Sequence, residues 1–366
     1  MDIRTRLALW LVFVSLASMA ILGAFAYKTA ADLLQEISIR QLDALAESKA
    51  KDLEKVQEGW RDQLRLIKSR TELRQHLKRY VETGDPAALG LVVQIIEDAA
   101  TAVDDVDQIR ILGMDGTELA AYGRIVSKYE QARPEIADEV VYSDSFPNST
   151  GGARVVFSSL LVQDGANVGY LEIVFDAFGI VSVTDNFTGL GETGEVMVVM
   201  KEDENSVLVL NPPRHLGREE LTSMPLASAS NAIRQSLDSS AKQGWIQSVD
   251  YRGVDVWAAT RNMPDLGWGV IVKVDAEEEA ARAYRLRDAM FDIALALSAF
   301  AIVGGTMLGF YLARPIHDLA LLVERVRHGE MHLRADASGD DEIAYLAESL
   351  NELMDHMQSE DKTKDG

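Results

Sequence analysis

The chain has 366 residues, 47% of them hydrophobic, which is enough for more than one domain. Its formal net charge of −22 sets nucleic acid aside as a partner. It contains no cysteine, which excludes disulfides, thiolate metal sites and a cysteine nucleophile.

Two charge-free apolar runs stand out, at residues 7–27 and 293–313. Each is about 20 residues long, enough as a helix to span a hydrocarbon core of roughly 30 Å. A cleaved signal core is shorter, so residues 7–27 are expected to be an uncleaved anchor, although Ala24-Phe25-Ala26 resembles a cleavage site. Arg4 and Arg6 precede the first run, and Arg314, Arg325 and Arg327 follow the second. The positive-inside rule then places both termini, residues 1–6 and the end of the chain, in the cytoplasm. Residues 28–288 are expected outside, and a cysteine-free exported domain of this size suits a bacterial periplasm. The expected location is therefore a two-pass protein of the bacterial inner membrane.

Along the chain, a helix is expected to run from the first span as a stalk over residues 28–82. Leu42, Leu45, Leu53, Val56, Trp60, Leu64 and Ile67 recur at helical spacing, and the first proline is Pro86. Gly84-Asp85-Pro86 marks the turn into a second helix over roughly Ala87–Ala102. Strands follow at Asp107–Leu112 and Thr117–Tyr122 about an Asp115-Gly116 turn, then at Arg154–Val162 and Val168–Phe175. A second unit of similar make-up has strands at Glu195–Met200, Ser206–Leu210, Gly244–Tyr251, Val254–Arg261 and Trp268–Val274, with a helix near Ala227–Asp238. Asp275 is read as the cap of a helix entering the second span. The fold class is α+β, with two alike antiparallel-sheet units: a distal one at 103–185 and a proximal one at 186–275.

Beyond the second span, Ile316, Leu319, Val323 and Val326 step by three and four. Ile343, Leu346, Leu350, Leu353 and Met357 do the same, which makes a heptad seam. Pro315 is placed in the first turn of the first helix, and Gly329 at its C′ position. Two short amphipathic helices cannot bury their seams alone, so a homodimer is expected. Gly305 and Gly309 offer a small-residue face that suits helix association.

Four phrases carry a resemblance. They are Thr188 to Glu195 (TGLGETGE), Asn211 to His215 (NPPRH), Asp250-Tyr251-Arg252-Gly253 with Val256 to Ala259, and Gly267-Trp268-Gly269-Val270. In this order they resemble the double Cache sensory module of bacterial receptors, and they are read as fold signatures. Residues 314–358 resemble a HAMP domain through Arg314-Pro315, Gly329-Glu330, Asp341-Glu342-Ile343, Leu346, Leu350-Asn351 and Met354. The resemblance implies PAS-like sheets, a parallel four-helix bundle formed by two chains, and a relay role for Pro315, Ile316, Leu319, Val323, Val326, Gly329, Glu342, Ile343, Leu346, Leu350 and Leu353. Residues 359–366 form a polar tail.

The resemblance further implies that the distal unit binds the ligand, a small polar solute. Candidate wall residues are Tyr142, Ser143, Phe146, Arg154, Phe157, Ser158 and Asp176. Arg154 suits a carboxylate and Asp176 an ammonium. The Arg-x-x-Trp-Tyr phrase of amino-acid-binding relatives is absent. No phosphate loop and no kinase, cyclase or phosphodiesterase phrase occurs, so no enzyme activity and no cofactor are expected. His328 and His332 are four apart with Gly329 between them, and no metal site is expected there. The expected function is a transmembrane signal receptor acting on a separate cytoplasmic partner. The alternatives are a shortened input half of a histidine kinase, nucleotide or diguanylate cyclase or chemoreceptor, or a non-sensing scaffold.

Overall fold

The computed structural model describes residues 3–103, 105–123, 138–147, 153–216 and 223–364. The chain divides into two compact units, Leu34–Arg282 and a second made of Met1–Leu33 with Ala283–Gly366.

In the first unit the stalk is not one helix to Gly84. Helix α1 (Ile3–Lys68) ends before an extended Arg70, and α2 (Thr71–Thr83) restarts beyond it. The Ser69 hydroxyl donates to the Leu66 carbonyl at 2.8 Å, so a side chain competes with the helical ladder there. The break lets α2 bury Leu73 and Leu77 on its own account. Helix α3 (Pro86–Thr101) starts on Asp85, whose carboxylate accepts from the Ala87 N–H at 3.0 Å, with Pro86 in the first turn.

Five strands then form an antiparallel distal sheet. They are β1 (Val106–Leu112), β2 (Glu118–Tyr122), β3 (Val141–Pro147), β4 (Ala153–Gln163) and β5 (Ala166–Asp176), in the order β2-β1-β5-β4-β3. Strand β3 and the short helix α4 (Phe178–Thr184) are not marked by the sequence pattern. The buried Lys49 ammonium on α1 fastens the end of α4, donating to the carbonyls of Val183 and Asn186 at 2.8 Å each. The proximal sheet holds β6 (Glu195–Lys201), β7 (Ser206–Val209), β8 (Ser223–Pro225), β9 (Gly244–Val249), β10 (Asp255–Met263) and β11 (Trp268–Asp275). Its order is β8-β7-β6-β11-β10-β9, the distal order with β8 added at one edge. The expected helix near Ala227–Asp238 is split into a 3₁₀ turn at Leu226–Ser228 and α5 (Asn231–Leu237). Ser230 caps α5 by accepting the Ile233 N–H at 3.2 Å.

One apolar core runs along α1 and takes one face of each sheet, from Ile109, Phe157 and Phe175 to Val198, Val270 and Trp268. Trp60 of α1 stacks on Phe175 with ring centroids 5.8 Å apart. The opposite face of the proximal sheet carries a second cluster under α5, which includes Met197, Val199, Ile233 and Ile271.

The helical segments Thr5–Lys68 and Ala276–Arg327 are long and apolar enough to cross a membrane by length and composition. Gly305 lies against Val12 and Gly309 against Ala8, so the small-residue face packs within the chain. Helix α6 (Ala276–Arg327) continues through Pro315, which therefore stands inside a helix rather than in a first turn. The physical cost is one missing N–H donor in the ladder and crowding of the ring against the carbonyl four residues back. The end of α6 is a Schellman closure: Glu330 N–H donates to the Arg325 carbonyl at 3.2 Å, and Gly329 N–H to Val326 at 3.0 Å. Gly329 has φ +99. Helix α7 (Glu342–Lys364) starts on Asp341, which accepts the Ala344 N–H at 2.9 Å. Asn351 holds the connector by accepting the Ala335 N–H at 2.7 Å and donating to its carbonyl at 2.9 Å. Within one chain α7 buries Ala344, Ala347 and Met354, while Leu346 and Leu353 stay 58% and 56% exposed.

Candidate functional site

Alternation along β4 divides the expected pocket residues between two faces. Tyr142 pairs with Phe157, and both belong to the core face. Phe146, Arg154, Ser158 and Asp176 share the opposite face, where Arg154 stands across from both Phe146 and Asp176. The six residues therefore cannot line one cavity: a period of two sends neighbours 157 and 158 to opposite sides. Ser143 joins the second group through a bulge between Tyr142 and Asp144, and its hydroxyl lies 2.7 Å from that of Ser158.

That second face carries charges that the sequence pattern left unmarked. Arg110 of β1 donates to Glu172 at 2.9 Å and to Glu118 at 3.1 Å. Arg110 is 9% exposed and Glu172 5%. Arg154 Nε donates to Asp107 at 2.5 Å. Burial pushes the Glu172 carboxyl up, with Arg110 opposing, and burial pushes Asp144 up as well. The signal was present in β1, where Gln108, Arg110 and Leu112 alternate with Ile109 and Ile111. A charged residue in the middle strand of a sheet is the informative exception. Arg110 and Arg154 thus each hold a carboxylate on this face. The connections at 124–137 and 148–152 lie outside the described residues.

Tyr142 serves elsewhere. Its hydroxyl donates to Ser145 at 2.9 Å and accepts from Trp268 Nε1 at 3.4 Å, and its ring meets Trp268 edge-on at 6.1 Å. It joins edge strand β3 of the distal sheet to β11 of the proximal one.

A second buried polar assembly sits at the root of α6, where three of the four signature phrases converge. Lys273 of β11 pairs with Glu195 at 2.8 Å and with Asp250 at 2.5 Å. Glu195 also accepts from the Tyr251 hydroxyl at 2.9 Å and from the Arg214 N–H at 2.6 Å. Arg252 bridges Asp250 and Asp275, and His215 Nε2 donates to the Thr193 carbonyl at 2.9 Å. Burial and the adjacent Glu195 carboxylate push the Tyr251 phenol up. Burial pushes Asp250 up, but Lys273 and Arg252 outweigh it and hold the carboxyl below the usual range. Glu278, in the first turn of α6, accepts from Glu192 N–H at 3.1 Å, Thr193 N–H at 2.9 Å and the Thr193 hydroxyl at 2.6 Å. That hydroxyl in turn accepts the Asp275 N–H at 3.1 Å. Gly191, at φ +72, is required here, since a Cβ would lie 2.1 Å from Glu278 Oε1.

Residues 307–359 match the HAMP domain, and this stretch contains every relay residue named above. Among curated proteins no relative matches the chain. Solved structures similar to it include the sensory domain of the Campylobacter jejuni chemoreceptor Tlp3, at 9% identity and TM-score 0.48, covering 68% of this chain and 98% of that one. Another is the ligand-binding domain of the Pseudomonas fluorescens chemoreceptor CtaA in complex with L-isoleucine, at 11% identity and TM-score 0.44, covering 69% and 99%.

Proposed function

We propose that the chain is a transmembrane sensor and transducer of the bacterial inner membrane. In this reading residues 28–288 form a periplasmic double Cache domain, residues 7–27 and 293–313 span the bilayer, and residues 314–358 act as a dimeric HAMP relay. The observation that carries it is the continuity of α6, which joins β11 of the proximal sheet to the HAMP-matching segment in one helix. The exposed Leu346 and Leu353 on α7 support a seam completed by a second chain.

The ligand is a small polar solute held on the charged face of the distal sheet. Arg154 and Asp176 receive its acidic and basic groups, with Arg110 and Glu172 beside them. Binding exchanges the Arg154–Asp107 pair for contacts with the solute and shifts β4 against β3. Tyr142 transmits that shift to Trp268 on β11, and the Lys273 and Glu278 assemblies carry it into α6. The relay passes it to a separate cytoplasmic partner. Such a change requires the solute to bind the two states with different affinity.

The chain has no cysteine of its own, so single-cysteine variants report cleanly. The test uses the full chain in nanodiscs. A metabolite screen by thermal shift finds the solute, and Val323→Cys or Leu350→Cys crosslinking is then compared with and without it. The crosslinking pattern is expected to change, and Arg154→Ala is expected to abolish the thermal shift. Identical patterns at saturating solute sink the transducer reading.

A further inference from the structure

A second cavity, of about 300 Å³, lies between α1 and the Met263-Pro264-Asp265 connection of β10 to β11. It is separate from the charged face of the distal sheet. On α1 it is lined by Glu54, Gln57, Glu58 and Arg61, a spacing that puts all four on one helix face. Its size falls at the lower end of small-molecule sites.

Two features mark it as more than a surface groove. Gln57 lines the cavity, is only 4% exposed, and makes no side-chain hydrogen bond to a described residue. The Nε of Arg61 is buried and likewise without a partner. A buried polar group left unpaired is costly, and natural folds seldom keep one without a use. The rest of α1 sharpens the contrast. Lys51 pairs with Glu47 at 3.2 Å, Lys55 with Asp52 at 2.9 Å and Arg65 with Asp62 at 2.8 Å. Arg61 has Glu58 at the same i, i+3 spacing but makes no such pair. Glu54, Glu58 and Asp265 also have no salt-bridge partner among the described residues.

We propose that this cavity is a second ligand site, for a small basic zwitterion. Arg61 and the Gln57 amide donate to its carboxylate, and Glu54, Glu58 and Asp265 receive its ammonium groups. Three carboxylates against one guanidinium favour a ligand with more positive than negative groups. The bound molecule joins the stalk to the β10–β11 connection and so stiffens the proximal sheet against α1.

The test titrates L-ornithine and putrescine calorimetrically into the full chain in nanodiscs. Ornithine is expected to bind, and putrescine, which lacks the acceptor, at least tenfold more weakly. Arg61→Ala and Gln57→Leu are each expected to weaken ornithine at least tenfold, and Arg154→Ala to leave it unchanged. Gln57→Leu is also expected to leave the Tm of the unliganded protein at or above the native value, because the Gln57 amide bonds to no described residue. No ornithine binding, or unchanged affinity in both α1 variants, overturns the proposal. Binding that depends on Arg154 moves the ligand to the distal sheet and overturns it too. A lowered Tm in Gln57→Leu makes Gln57 a fold residue and likewise overturns the proposal. Failure here leaves the distal-sheet reading standing, since that reading rests on Arg154.

Discussion

Replacing Lys273 by methionine tests whether the charged assembly at the root of α6 is held by its ammonium. Lys273 is 3% exposed and Glu195 1%, so the substitution strands two carboxylates, Glu195 and Asp250, away from water. Breaking a buried pair from one side costs about 3–5 kcal/mol. The lower end applies, because Glu195 keeps Tyr251 and the Arg214 N–H, and Asp250 keeps Arg252 at 2.7 Å. A loss of about 3 kcal/mol corresponds to roughly a hundredfold fall in protection. Amide hydrogen exchange in β6 and β11 measures it. The pH dependence follows from linkage. Lys273 and Arg252 hold the native Asp250 carboxyl below its usual range, so the stabilisation that Lys273 gives it is present above the unfolded pKa of about 3.9. It is lost as pH falls through the lower folded value and Asp250 takes up a proton. Adding Glu195→Gln to Lys273→Met is expected to recover at least half of the protection. A protection change under threefold at pH 7.5 refutes the reasoning.

Three further outcomes are expected. Gly191→Ala forces a left-handed residue and drives its Cβ into Glu278, at a cost of about 1–3 kcal/mol. Amides at the start of α6 should then exchange faster than in the native chain, and unchanged exchange would deny Glu278 its anchoring role. Burial pushes the Glu278 carboxyl up, but the Thr193 hydroxyl and the two backbone N–H groups bring it below its ordinary value. Its stabilisation is therefore present above the unfolded pKa of about 4.3 and is lost as pH falls through the lower folded value. Acid should loosen the Glu192 and Thr193 amides in the native chain, and Glu278→Gln should remove that pH dependence. Tyr142→Phe keeps the ring contacts with Phe157 and Trp268 but loses a hydroxyl worth about 1 kcal/mol. It should leave solute affinity within threefold while weakening the change in Val323→Cys crosslinking; a tenfold affinity loss would return Tyr142 to the pocket wall.

The elements that were readable from the chain are those whose own residues decide them. The charge-free runs, the Asp85-Pro86 helix start, the Asp115-Gly116 turn and the Gly329 helix end each follow from local rules of length, capping or positive φ. Elsewhere a neighbouring side chain or strand pairing overrides the periodic preference. Ser69 breaks a helix that periodicity would continue, and Pro315 sits within one that a proline would begin. Strand β3 was missed because its residues gain strand structure by pairing with β4.

The candidate site divides in the same way. Arg154, Ser158, Phe146 and Asp176 were named from the sequence and share a face, but Tyr142 and Phe157 do not join them. Arg110, Glu172, Asp107 and Asp144 were not named at all. Register decides which charges face one another, and register is a property of paired strands. The signature phrases were read as corners of a fold. Only the proximal sheet brings Glu195, Arg214, Tyr251, Arg252 and Lys273 into one buried assembly, from positions far apart in the chain. By itself, the sequence determined the two apolar runs and the two successive α+β units, since hydrophobic periodicity is a local property. Tertiary structure alone decided which charges are buried together and where the distal sheet meets the proximal one, because those pairings depend on chain segments that no local pattern relates.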